Sequence, residues 1–280
     1  MPLSSRILFV GLIFLTRLGI SQVTFMTFNI RYATPNDSIN SWDNRKNAVG
    51  NFLKKSQIDF LGVQEGLIHQ VRDIQSNLGD NYRWIGVGRD FGDTQGEHCA
   101  LFYNKNKFKP IISSELPTTF WLSKNKKYPS KSWDAALPRI ATVGLFEDLN
   151  SNTKWLVMNT HFDHIGKRAR RKSMKIIYNQ IQKWTSDSVR VVLMGDFNLP
   201  PTSRPIKWIS KRMVDVGKDQ PNQCTFNGFD KEESKLGKRI DYIFIKNSKL
   251  LQCEINNTVR NPNIPIKYLS DHYPVKATLE

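Results

Sequence analysis

Cysteine is scarce in this chain of 280 residues: Cys99, Cys224 and Cys253 are the only three, and none stands at the short spacing by which thiolates grip zinc. A structural zinc module and a disulfide-dense scaffold are excluded, and one disulfide with a free thiol is the most that three allow, with no pairing specified. Acidic residues are also few, 25 against 41 Lys and Arg, for a formal net charge of +16. A surface of that sign attracts polyanions such as nucleic acid, acidic lipid headgroups or phosphorylated small molecules, although it also serves solubility alone. Beyond Ser21 no apolar run reaches the length needed to cross a bilayer. Internal repeats, low-complexity tracts and Pro/Gly/Ser linkers are missing too, so residues 22–280 read as one domain, long enough for a two-sheet core.

What precedes that domain has the form of an export signal. Arg6 is followed by the apolar run Ile7 to Leu15 and by the small residues Gly19 and Ser21, which predicts cleavage after Ser21 and a secreted or periplasmic product with no stable membrane insertion. A buried first strand or an uncleaved anchor would use the same run differently.

Within the domain, apolar patterning alternates between two periods. Val23 to Ile30 is β-rich and ends in Asn29; Ile58 to Gln64 is a second buried strand ending in Glu65. Between them Ala48, Val49, Phe52 and Leu53 recur at helical spacing after Asp43 and Asn44, which can cap the helix, and Leu67, Val71, Ile74 and Leu78 mark another. A β, α, β, α start predicts helices packed outside a sheet, an α/β fold. Strands then follow at Tyr82 to Gly88, Cys99 to Asn104 and Thr118 to Ser123, with Lys124 to Lys127 and Ser130 to Pro138 as exposed loop. Ala141 to Phe146 and Lys154 to Thr160 read as a hairpin, and Lys167 to Thr185 as a helix with Met174, Ile177, Ile181 and Trp184 on its buried stripe. Ile206, Ile209 and Met213 mark a short helix, Lys231 to Lys238 a charged loop, and Arg239 to Ile245 and Leu269 to Val275 two last strands.

The polar residues at the ends of these strands carry the chemistry. Val191 to Pro200 reads VVLMGDFNLP: an apolar run delivers Asp196 and Asn198 to the carboxyl end of a buried strand, two residues apart and hence on one side. Taken alone, such a segment is equally an Asx-type turn. Asn159 and His161 repeat the arrangement, Asp241 falls inside an apolar run, and Asp271 stands beside His272. Buried carboxylates require compensation, and Asp241 would find it in a histidine Nδ1 proton. Oxygen donors of this kind suit Mg²⁺ or Mn²⁺, and two histidines with carboxylates in a basic protein fit phosphoester hydrolysis.

The segments TFNI, VQE, NTH, GDFN, RIDYIF and SDHYPV, in that order from Asn29 to His272, resemble the endonuclease/exonuclease/phosphatase superfamily, which includes DNase I-like and exonuclease III-like enzymes. The resemblance spans residues 22–280 and implies a four-layer α/β/β/α sandwich of two mixed sheets, with the active site across the strand ends. It further implies Glu65 as the principal Mg²⁺ ligand (Mn²⁺ as substitute), with Asn29 and Asp271 at the metal. His161 and Asn198 would contact the scissile phosphate, Asp196 would align water, His272 oriented by Asp241 would complete the site, and Asn159 would position its loop. Whether Asp196 or His272 takes the water proton stays open.

Substrate contacts are read from weaker signals. The segment GVGRDFGDTQGEHCALFY resembles a pattern in some secreted and deadenylase-like branches, and makes Arg89, Glu97 and His98 candidates. Trp121, Trp133 and Arg139 could line a groove, with core packing an equal use for either Trp. Lys167, Arg168, Arg170, Arg171 and Lys172 crowd a helix start where the dipole is already positive, which motivates phosphate binding for Arg170 and its neighbours; a solvated basic face is the other reading. The expected substrate is nucleic acid or another phosphodiester, then a phosphomonoester or lipid headgroup. A silent polyanion-binding module is the reading from another class, and a monomer is the default.

Overall fold

The computed structural model describes residues 22–220, 224–230, 238–255 and 268–280. The export signal expected over residues 1–21, and all but the last residue of the charged loop expected from Lys231 to Lys238, lie outside them. Strand β1 (Val23–Asn29) is followed by α1 (Trp42–Lys55), β2 (Phe60–Gln64), α2 (Ile68–Leu78), β3 (Tyr82–Ile85), β4 (Leu101–Asn104), β5 (Phe108–Pro110) and β6 (Thr119–Trp121). The chain continues through β7 (Ile140–Asp148), β8 (Lys154–His161), α3 (Lys167–Trp184), β9 (Val189–Asp196), α4 (Arg204–Ile209), β10 (Val214–Asp215), β11 (Asp241–Lys246), β12 (Leu250–Ile255) and β13 (Val275–Leu279).

Strand alternation generates four layers. In β1, Val23 and Phe25 face the second sheet while Met26 and Phe28 face the helices; in β9, Val192 and Met194 face inward while Val191 and Leu193 face outward. One core therefore lies between the sheets, with Phe25, Phe60, Trp155 and Ile243 in it. A second joins α1 and α2 to the first sheet through Val49, Leu53, Val71 and Ile74, and a third joins α3 and α4 to the second sheet through Met174, Ile177, Ile206 and Ile209. Each large apolar side chain so buried contributes about 1.5–3 kcal/mol. The Phe25 and Phe60 rings stack at 5.0 Å at the centre of the inter-sheet layer.

The sheets are mixed, in the orders β12-β13-β1-β2-β4-β3 and β10-β11-β9-β8-β7-β5, with β6 pairing β7. Parallel pairs occur at β1 with β2 and at β8 with β9; the other pairings are antiparallel. The sandwich expected from the motifs is the observed fold, and the hairpin expected around Ala141 to Thr160 is β7 with β8.

Several boundaries differ from the sequence reading: β2 starts at Phe60 and not Ile58, β3 ends at Ile85 and not Gly88, β4 starts at Leu101 and not Cys99, and β11 starts at Asp241 and not Arg239. Helix α1 begins at Trp42 with Ser41 in the capping position, which leaves Asp43 and Asn44 inside the first turn. The segment from Leu269 is a loop until β13 starts at Val275, because Pro274 cannot donate to a ladder. Asn227 N and Gly228 N donate to Asp271 O and Tyr273 N donates to Thr225 O, which fixes that loop in place.

Candidate active site

Along the inward-facing rows the side chains change from apolar to polar or charged toward one end of the sandwich. The rows are Phe25, Thr27, Asn29 on β1; Phe60, Gly62, Gln64 on β2; Val157, Asn159, His161 on β8; Val192, Met194, Asp196 on β9; and, in reverse, Ile245, Ile243, Asp241 on β11. The parallel pairs bring the carboxyl ends of β1, β2, β8 and β9 to that edge, while antiparallel β11 presents its amino end, so Asp196 lies opposite both His161 and Asp241 in the register. Gly195, just before Asp196 on β9, is required: its φ is +146°, and a Cβ there would stand 2.0 Å from Thr160 O on the neighbouring strand.

A polar band separates the core from this mouth. Asn159 Nδ2 donates to Val63 O at 2.8 Å and Ala100 O at 2.9 Å, and Gln64 Nε2 donates to Asn159 Oδ1 at 2.6 Å and Thr27 Oγ1 at 3.0 Å. Asn159 was expected to position a loop at the site; it instead ties the two sheets together beneath it, fully buried. Asn159→Leu strands buried polar groups on β2 and should destabilise the fold by about 2–4 kcal/mol, measurable as a lower urea midpoint. An unchanged midpoint would deny the bridge its structural weight.

Above the band, Asn29 Nδ2 donates to Glu65 Oε1 at 3.0 Å and to Asp196 Oδ2 at 3.1 Å. Its oxygen accepts from Arg31 N at 3.0 Å, so Asn29 meets the site through its donors, where the sequence reading had it as a metal ligand. Glu65 Oε2 accepts from Tyr32 N at 3.1 Å. Asn198 N donates to Asp196 Oδ1 at 2.8 Å, so the Asx turn and the functional placement of GDFN coexist. The His272 Nδ1 proton goes to Asp241 Oδ2 at 2.9 Å, and its Nε2 lies 3.8 Å from Asp196 Oδ2. Asp271, 7% exposed, faces the same space beside Arg31, whose Nη1 is 3.9 Å away. Arg31 (φ 59°), Glu65 (φ 64°) and Asn198 (φ 50°) all hold left-handed backbone; for Arg and Glu that is strain of the kind functional sites retain.

Charge states follow from this crowding. Burial, followed by the Asp241 charge, pushes the Asp196 carboxyl up to about 7, although His272 pulls the other way. Burial disfavours a charged His272, but the Asp241 carboxylate, by charge and hydrogen bond, and then Asp196 and Asp271 raise it well above the ordinary imidazole value. His161 is driven well below that value by burial and by Arg139 and Arg89. Burial also raises Asp271 and Glu97.

The donor set fits a divalent cation. Ligand atoms of Glu65, His161 and Asp196 lie within 4.8 Å of one another, as do those of Asp196, Asp241 and His272. Asp271 lines the cavity but belongs to neither trio. Carboxylates held this close are a repulsion that a divalent metal relieves.

These groups line a cavity of about 960 Å³ whose opposite wall is Arg89, Glu97, Leu137, Arg139 and His164. Arg89 Nη1 donates to Glu97 Oε2 at 2.6 Å. Four expected substrate contacts fall elsewhere. Trp121 is core, with Nε1 donating to Arg89 O at 3.0 Å, and Trp133 is half-buried off the cavity lining. His98 sits in a separate void of about 10 Å³ behind the wall. Arg170 is buried, with Nη1 donating to Asp163 O at 2.8 Å, which holds the His161 loop against α3. Asp134 caps the start of α3 by accepting from Arg168 N and Ala169 N.

Sequence reading missed Arg31, Tyr32, His164 and Lys238 on the cavity wall. It also missed Arg45, fully buried, whose Nη1 donates to Ile30 O at 2.9 Å and Leu269 O at 2.6 Å, so that one guanidinium braces the loops after β1 and before His272. An Arg at a helical position beside Ala48 and Val49 looks like a solvated charge; no local pattern distinguishes it.

A sequence model described as the Endonuclease/Exonuclease/phosphatase family matches residues 26–272. Among solved structures, an endonuclease/exonuclease/phosphatase from Bacteroides vulgatus is 36% identical, with a TM-score of 0.84 over 93% of this chain and 99% of that one. A mannosyl-6-phosphatase from Bacteroides thetaiotaomicron is 31% identical, with a TM-score of 0.83 over 92% and 99%. The human Nocturnin catalytic domain, 17% identical with a TM-score of 0.69 over 92% and 93%, shares the fold. Curated proteins contain no significant match.

Proposed function

The chain belongs to the endonuclease/exonuclease/phosphatase family, and from that premise we propose that it is an exported, monomeric, Mg²⁺-dependent phosphoesterase that acts on a small phosphomonoester, a sugar phosphate first among them. One observation carries the small-substrate reading: the carboxylate and imidazole cluster shares a single cavity of about 960 Å³ with the wall of Arg89, Glu97, Leu137, Arg139 and His164. That volume is in the range of small-molecule sites, and Glu97 with Arg89 offers acceptor and donor to a hydroxylated leaving group. The relative named a mannosyl-6-phosphatase supports the same choice.

Glu65 would hold the metal with Asp196 and Asp271 near it. When bound, that ion would neutralise phosphate charge and lower the pKa of water. His161 and Asn198 donate toward the phosphate, Asp196 orients and deprotonates the attacking water, and cationic His272 stabilises the charge that develops on the phosphoryl oxygens. Asp196 has a carboxylate to accept a proton, whereas an imidazole held charged by Asp241 has no lone pair to offer.

The net charge of +16 favours a second reading, cleavage of nucleic acid. A panel of mannose 6-phosphate, an aryl phosphate, a bis-aryl phosphate, single-stranded DNA and plasmid, each with Mg²⁺ and with chelator, separates the two. Monoester turnover that is lost with chelator and nearly indifferent to salt is expected. Nuclease activity whose affinity falls about 1,000-fold or more with moderate salt would install the second reading. No hydrolysis of any phosphoester would remove both.

A further inference from the structure

Arg139 was expected to touch substrate, yet it is 6% exposed and its donors are directed at two imidazoles. Nη1 lies 2.9 Å from His161 Nδ1 and Nη2 lies 3.2 Å from His164 Nδ1. A guanidinium has five N–H donors, no acceptor and a permanent charge. Each of these contacts is a hydrogen bond only if the ring nitrogen offers a lone pair, and a neutral imidazole has one lone pair and one proton. We propose that Arg139 is a positioning residue that sets the tautomer of His161, so that the ring presents Nε2–H to the cavity as a fixed donor.

The surroundings agree. Glu97 Oε2 is 3.8 Å from Arg139 Nη1 and Asp163 Oδ2 is 3.8 Å from its Nε, so carboxylates on two sides hold the guanidinium in place. A second proton on His161 would set N–H against N–H beside Arg139, with Arg89 near; burial and these cations keep the ring neutral. On its far side, His161 Nε2 is 3.1 Å from Asn198 Nδ2, which also donates to Phe162 O at 3.1 Å. Two donors thus compete for the one lone pair of His161: Arg139 can only donate, whereas the Asn198 amide has Phe162 O as an acceptor, so the lone pair goes to Arg139 and the Nε2 proton points to Asp196 Oδ2 at 3.4 Å. The ring N–H and the Asn198 amide then abut as two donors, and an acceptor lying between them satisfies both. A phosphate oxygen is such an acceptor. The same tautomer takes His161 out of the candidate donor trio, because its one lone pair is engaged by Arg139; a cation bound there would be held by carboxylate oxygens, which suit a hard ion.

What the donors bind rests on the phosphoesterase reading; the proton position does not, and the two fail separately. In ¹⁵N-labelled protein, long-range ¹H–¹⁵N correlation reads the tautomer of each histidine, of which the sequence has 5, and the His161→Gln spectrum assigns the resonance. The expected wild-type pattern for His161 is a protonated Nε2 and an accepting Nδ1. Arg139→Lys keeps a cation and a donor and should preserve it; Arg139→Met should spread the proton over both nitrogens and lower kcat by about 10- to 100-fold with the fold intact by circular dichroism. A wild-type ring protonated at Nδ1, or at both nitrogens, overturns the proposal even if the Met variant does not fold. Absence of phosphoester turnover with the Nε2–H tautomer present would remove the function and leave the tautomer assignment standing.

Discussion

Asp196→Asn should lower turnover by about 100- to 10,000-fold and at the same time make the metal-free protein more stable at neutral pH. The carboxylate is 1% exposed and shares its surroundings with Asp241 and Glu65, and burial with the Asp241 charge raises it to about 7. The unfolded chain would ionise it near 4. Between those values the folded state binds the extra proton, so stability falls as pH rises from about 4 toward 7. At about 1.4 kcal/mol per unit, and less because the group is coupled to its neighbours, the neutral amide should recover about 1–3 kcal/mol. It also keeps an acceptor for Asn198 N or the Asn29 amide. Urea unfolding of chelator-treated wild type and variant at about pH 5 and about pH 8 reads the effect: the gap should open with pH. A variant weaker than wild type at both values would mean that Asp196 is a structural carboxylate and not a strained one.

Asp241→Asn should be nearly as damaging to catalysis, and its signature is a moved pH profile. Asp241, 1% exposed, is what overcomes burial to hold His272 charged. Because the folded value is raised, the pair's stabilisation is fully present below the ordinary imidazole value of about 6.5 and is lost as pH rises through the raised one. If imidazolium is the active form, turnover falls on the same alkaline limb. Without the carboxylate that limb should shift to lower pH and kcat at neutral pH should fall about 100-fold or more, with a stability loss of about 3–5 kcal/mol as the buried pair is broken. A kcat–pH profile with the wild-type alkaline limb would contradict the role given to His272.

The fold was legible because its layers follow from local periodicity. Phe25 and Phe60 inward, Met26 and Leu61 outward, is period-2 alternation on strands covered on both faces, and the helical stripes of α2 and α3 required no tertiary knowledge. The last strand was placed too early because SDHYPV is apolar enough to pass for one, and Pro274 was the local sign against it. Among site residues, those at strand ends were legible: a carboxylate or imidazole directly after a buried run is costly unless something compensates it. Trp121, Trp133, His98 and Arg170 were misplaced for the opposite reason, since an aromatic or cation in a loop carries no indication of which side of the chain the cavity lies on.

By itself the sequence determined which side chains had to be compensated: Glu65, His161, Asp196, Asp241 and His272 follow or enter apolar strands wherever those strands are placed, and their order identifies the family. Asp241 with His272 was already paired by the sequence reading and stands at 2.9 Å; for the others the tertiary structure decided what compensates them. Asn29 turns its amide donors to Glu65 and Asp196, Asn159 joins the sheets, Arg45 ties the loops after β1 and before His272, and Arg139 meets His161 from 22 residues away. Hydrogen-bond partners are set by sheet register and loop paths, which bring together residues that share no local pattern, so no reading of periodicity could have paired them.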